Sequence, residues 1–252
     1  MSWIEQTSGL APAAFALAAM MTFAAAAIRG LTGFGMAIIL VPLLAMVMRP
    51  DEAVVLAIFL QLLIGPVGLN KILSDSHKSS AVLIAAAAVA TTPLGVWALA
   101  HTPPDLARII IALIAIGAFL MIFAARKAVN IPSRPAAILT GFAAGVLTGF
   151  AAMPGPPVVP FYLREAFDPR TARASMMLVF FATAMAGTLS SVLIGLGSIQ
   201  LAWLSVLLLI PMLLGNWLGG KAFGKASATL WRTMVAVLLG LAGVSAVWRL
   251  LG

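Results

Sequence analysis

Between residues 10 and 48 the chain carries a single charged side chain, Arg29, in 39 residues. One helix of that length would extend about 58 Å at 1.5 Å per residue, nearly twice the roughly 30 Å hydrocarbon core of a bilayer. The stretch must therefore fold back or break, and the turn signal is Arg29-Gly30-Leu31-Thr32-Gly33-Phe34-Gly35. A second long block, 136–163, carries a comparable break from Gly149 to Pro157. The remaining apolar runs, near 53–70, 81–100, 106–125, 174–197, 201–219 and 231–250, are each about one helix long. With 63% hydrophobic and 9% charged residues, against about 45–50% and ~25% in soluble domains, such a chain has too much apolar surface for a soluble fold. The expected fold is all-α: a polytopic transmembrane helical bundle of about 8–10 membrane segments.

The net charge of +8 comes from single basic residues between apolar runs, which is how membrane loops carry charge, so no nucleic-acid partner is expected. No cysteine is present and the two histidines, His77 and His101, fall in connections. That leaves no thiolate or metal site and implies no cofactor. The first apolar run has no Lys or Arg before Arg29, unlike a cleaved signal peptide, and reads as part of the mature fold. Glycine-rich phosphate loops, a G-x-S-x-G elbow and paired histidines are absent from the sequence, so an enzyme is not expected.

Loop charge separates two topologies. If both long blocks cross once, Lys and Arg divide almost evenly between the faces. If both return to their starting side, Lys71, Lys78, Arg126, Lys127, Arg134, Arg164, Arg170, Arg173, Lys221, Lys225 and Arg232 share one face, against Arg49, Arg108 and Arg249. Eleven against three satisfies the positive-inside rule and puts both termini outside the cytoplasm. Each half then opens with a broken or hairpin helix pair followed by three crossings, so 1–128 and 129–252 form two inverted-topology repeats within one membrane domain. Leu31-Thr32-Gly33-Phe34 recurs as Leu147-Thr148-Gly149-Phe150, with Pro42 and Pro160 following at similar distances. Secondary transporters on this plan bind substrate near the midplane, where broken helices of the two halves meet.

Within lipid, backbone breaks are tolerated only where they face protein or a water-filled cavity, which marks Gly33, Gly35, Gly149, Pro154, Gly155, Pro156 and Pro157. The bland alternative is close helix packing at small residues. Half-helix N-termini attract anions. All seven acidic residues, Glu5, Asp51, Glu52, Asp75, Asp105, Glu165 and Asp168, lie at or beyond the ends of apolar runs, which disfavours carboxylate-based cation or proton transport. Arg29 has two readings: an intramembrane site residue or an interfacial arginine snorkelling to headgroups. Thr32 and Thr148 offer hydroxyls to substrate oxygens or, in the bland reading, bond the preceding helical turn. Phe34 and Met153 flank the two breaks and complete the candidate substrate-binding set. Gln61, Thr183, Ser190 and Asn216 are polar residues within spans that could face a cavity but read rather as helix bridges, and Trp3, Trp97, Trp203, Trp231 and Trp248 read as an interfacial belt.

The run Gly30 to Leu44 resembles the opening motif of the sulfite exporter TauE/SafE family, Gly145 to Pro160 resembles its second copy, and Arg170 to Met177 resembles the segment that follows. The resemblance implies a permease of the bacterial inner membrane for sulfite, small organosulfonates or related sulfur-containing or carboxylate anions, with the bilayer and the anion as partners and a homodimer as the assembly. Where the family carries more glycine, this chain has Met36, Ala37, Pro154, Pro156 and Pro157, and proline has no N–H to offer an oxyanion. Two other functions compete with a transporter: a membrane scaffold that assembles partner proteins without moving solute, and a passive anion channel.

Overall fold

The computed structural model describes residue 5 and residues 9–124, 133–164 and 168–221. Within them the chain is helical, with no strand. Trp3, Trp231, Trp248, Glu165, the loop cations Arg126, Lys127, Lys225, Arg232 and Arg249, and the run 231–250 lie outside the described residues.

The first long block becomes α1 (Pro12–Thr32) and α2 (Met36–Leu44). Pro12 starts α1 at a position where a missing N–H costs nothing, and Gly33 ends it in the left-handed region at φ 85°. Gly35, also left-handed at φ 87°, then begins α2. An α2 of nine residues is about 14 Å long, half a membrane crossing at most. The second block repeats the arrangement as α7 (Arg134–Ala151) and α8 (Gly155–Arg164), the latter about 15 Å long. Pro156 and Pro157 occupy the first turn of α8, where the backbone needs no donor.

Between and after these pairs come α3 (Pro50–Ile64), α4 (Leu69–Asp75), α5 (Lys78–Ala100), α6 (Pro104–Ala124), α9 (Pro169–Ile194), α10 (Ile199–Leu207) and α11 (Leu209–Lys221). Among the described residues four helices, α1, α5, α7 and α9, are long and apolar enough to cross a membrane, and up to six spans result if α3–α4 and α10–α11 are each one broken span. The α3–α4 junction bends by 83° and the α10–α11 junction by 44°.

The half-helices occupy the centre. Every residue of α2 is buried, as is most of α3, and α8 buries Val158, Val159, Phe161 and Tyr162. The long helices sheathe them and turn large apolar side chains outward: Leu139, Leu193 and Ile210 are 71%, 76% and 69% exposed. An exterior of that kind suits hydrocarbon rather than water.

Packing between the halves is reciprocal. Helix α5 of the first half lies along α7 of the second, and α11 of the second lies along α1 of the first. Both seams are built on small residues. Gly141, Gly145 and Gly149 sit against the carbonyls of Ile84, Ala88 and Thr92, and Gly215 and Gly219 against those of Phe23 and Ala27. A Cβ at any of these would collide with backbone, so the four-residue glycine spacing is what lets the helices approach.

Candidate functional site

The two breaks meet in the interior. A narrow cavity, with about 20 Å³ open to a water-sized group, is bounded by Phe34, Gly35, Met36, Ala37 and Ile38 on one side and Ala152, Met153, Pro154 and Gly155 on the other. Arg29, Gln61 and Phe180 complete its wall. That space holds about one water. Its walls must part to admit a larger oxyanion.

Arg29 projects from the last turn of α1 and is only 8% exposed. Its Nη1 donates to Asn216 Oδ1 of α11 at 2.8 Å. Among the described residues the ion pairs are Arg49–Asp51 and Arg108–Asp105, so no carboxylate balances Arg29. The acidic residues among them stand at helix ends or in connections. A buried cation without a counter-ion is costly to hold and attracts an anion.

Backbone donors add to this charge. Met36, Ala37 and Ile38 form the first turn of α2, where amides have no intrahelical acceptor, and no side chain caps that end. The opposite half-helix contributes less, because Pro156 and Pro157 leave Gly155 as the one N–H in the first three positions of α8. The anion-attracting side of the cavity is thus the first half's. Gln61 spans the gap between the halves, its Nε2 donating to the carbonyls of Ala152 at 3.0 Å and Ala57 at 3.3 Å. Ala152 is held at φ 58°, the one non-glycine residue with positive φ among the described residues.

Of the residues singled out from sequence, Arg29, Phe34, Gly35, Met153, Pro154 and Gly155 line the cavity, while Thr32, Gly33, Thr148, Gly149 and Pro156 do not. The Thr32 hydroxyl closes the turn, 2.8 Å from the Ile28 carbonyl and 2.7 Å from that of Phe34, and accepts the Phe34 N–H. Thr148 donates to the Ala144 carbonyl at 2.7 Å, and Gly149 packs on α5. Gln61 lines the cavity and Asn216 bonds Arg29, and both read from sequence as helix bridges that could also face a cavity, whereas Arg173, which bonds the Gly30 carbonyl, reads there as loop charge. Arg173 Nη2 donates to the Gly30 carbonyl at 2.8 Å, and its side chain covers Gly33 so closely that a Cβ there would lie 2.5 Å from Arg173 Cγ. Among the described residues, no group of three His, Cys, Asp or Glu side chains is placed to hold a metal.

A family model described as sulfite exporter TauE/SafE matches residues 17–246, nearly the whole chain. The chain belongs to the TauE/SafE family. No curated protein and no solved structure matches it. The TauE/SafE match spans both breaks, the cavity and α9, and it makes the protein a multi-pass membrane transporter with a small-molecule substrate and a lipid surround. In this TauE/SafE chain Arg29 supplies the cation, and the broken motif Gly30 to Leu44 that follows it supplies the turn and the uncapped half-helix.

Proposed function

We propose that the protein is a secondary transporter of a small anion, with sulfite, an organosulfonate or a related sulfur-containing or carboxylate anion as substrate, in the bacterial inner membrane. The observation that carries this reading is Arg29, buried where both helix breaks meet and, among the described residues, paired with no carboxylate. The anion binds against its guanidinium and the first-turn amides of α2, as oxyanions bind helix N-termini elsewhere. Gln61 and Asn216 position the two walls.

The halves 1–128 and 129–252 act as inverted repeats, with both termini outside the cytoplasm. The reciprocal seams α5–α7 and α11–α1 support this, because each half lends one long helix to the other's broken pair. Rocking of one seam against the other widens the cavity to alternate faces. Flux measured in proteoliposomes across sulfite, taurine, isethionate, sulfoacetate and small carboxylates tests the reading. Saturable uptake of one anion class, accelerated by counter-substrate and lost in Arg29→Ala, is the expected result. Conductance without saturation would mean a channel, and no flux of any anion would leave the scaffold.

A further inference from the structure

A second, larger recess of about 350 Å³ opens between α4 and the N-terminal part of α9. Lys71, Arg170 and Arg173 border it against a single acid, Asp75, with Ile72 and Met177 forming its apolar floor. Lys71 and Arg170 are exposed, and among the described residues neither takes part in an ion pair. The bend of 83° after α3 is what makes the recess: α4 leaves the line of α3 and packs on α9 instead. Arg173 connects the recess to the turn beside the inner cavity, since it borders the recess while its Nη2 bonds the Gly30 carbonyl next to Arg29 and its stem covers Gly33.

We propose that this recess is an outer anion-binding vestibule. It concentrates a sulfonate or sulfite at Lys71 and Arg170 and delivers it, by way of Arg173, to the inner cavity at Arg29. The vestibule opens on the side that loop charge assigns to the cytoplasm. A cleft with an excess of one charge raises the local concentration of its counter-ion and does so less at high salt. Its apolar floor accepts the short carbon chain of an organosulfonate, which bare charge would not. Arg173 acts as the hinge pin: an anion that draws its guanidinium away from the Gly30 carbonyl loosens the turn that ends α1.

The inference rests on the transport reading for its role but not for its binding, and two measurements separate them. In phosphatidylcholine vesicles, Lys71→Gln/Arg170→Gln raises the half-saturating concentration of isethionate on the cytoplasmic face about tenfold at low ionic strength. That change exceeds any change in maximal rate, and it shrinks as salt is added. An unmoved half-saturating concentration in a protein that still transports overturns the vestibule and leaves transport intact. Calorimetric binding of isethionate to the purified Arg29→Ala variant is the second measurement. Binding that persists there and disappears when Lys71→Gln/Arg170→Gln is added keeps the vestibule, even if the wild-type protein moves no anion and the transport reading fails. Absence of binding to Arg29→Ala overturns it. The soluble phosphatidylglycerol headgroup, glycerophosphoglycerol, supplies the remaining arm: if it binds Arg29→Ala and loses that binding with Lys71→Gln/Arg170→Gln while isethionate does not bind Arg29→Ala, the occupant is a lipid headgroup and the solute proposal is wrong.

Discussion

Arg29 donates one hydrogen bond, to the neutral Asn216 Oδ1, and its side chain lines the cavity. A hydrogen bond to a charged group contributes about 1.5–3 kcal/mol, or at least about tenfold in binding. Arg29→Gln is therefore expected to raise the half-saturating anion concentration at least about tenfold in the flux assay. Arg29→Lys keeps the charge but not the planar fork and is expected to fall between Arg29→Gln and wild type. At Ala152 the direction is opposite. A left-handed alanine carries about 1–2 kcal/mol of backbone strain, which glycine does not, against about 0.4–1 kcal/mol of extra chain entropy on unfolding. Ala152→Gly is expected to hold or modestly raise the melting temperature in detergent, and Ala152→Val to lower it. Arg29 was legible in the sequence because it is the lone charge in a 39-residue apolar stretch. Arg173 was not, because Arg170-Thr171-Ala172-Arg173 reads as an ordinary loop cluster until α9 is seen to start at Pro169 and carry its second arginine back over Gly33.

At the scale of elements, the glycines divide into those that bend the chain and those that let helices touch. Gly145 belongs to the second kind: a Cβ there would overlap Thr91 Oγ1 and the Ala88 carbonyl, both on α5. Gly117 in α6 has nothing within 4 Å of such a Cβ. The same change, glycine to alanine, is therefore expected to have opposite signs. Gly117→Ala gains up to about 1 kcal/mol of helix propensity, while Gly145→Ala loses about 1–3 kcal/mol to overpacking, read as thermal midpoints of the purified protein. Block boundaries set by charges foretold the helices well, since α5, α6 and α9 begin at Lys78, Pro104 and Pro169, within a few residues of the expected 81, 106 and 174. One feature stayed hidden. The run 53–70 reads as one helix, yet the chain bends at Gly65-Pro66-Val67-Gly68, with Gly68 left-handed at φ 75° and Gly65 packed under the ring of Phe181, 116 positions away in the chain.

For the whole molecule the decisive question is which face each connection occupies, because the inverted plan and the side of the vestibule both follow from it. Reciprocal seams alone do not orient the bundle; they hold equally if it is turned over. Charge does, since eleven loop cations share the face of the connection at 71–78, against three on the face of the one at 101–105, only if both long blocks return to their starting faces. The sequence contains no cysteine, so a single introduced thiol reports its position without background. Ser74 and Asp105 are both exposed and stand at opposite ends of α5. In intact cells, Ser74→Cys is expected to resist a membrane-impermeant maleimide and to react after the membrane is opened, whereas Asp105→Cys reacts from outside. The Asp105–Arg108 pair lost in that variant is 80% exposed on the aspartate side and contributes little to stability. The reverse labelling pattern would place Lys71, Arg170 and Arg173 on the outer face, and the vestibule would then serve uptake from outside rather than collection from the cytoplasm.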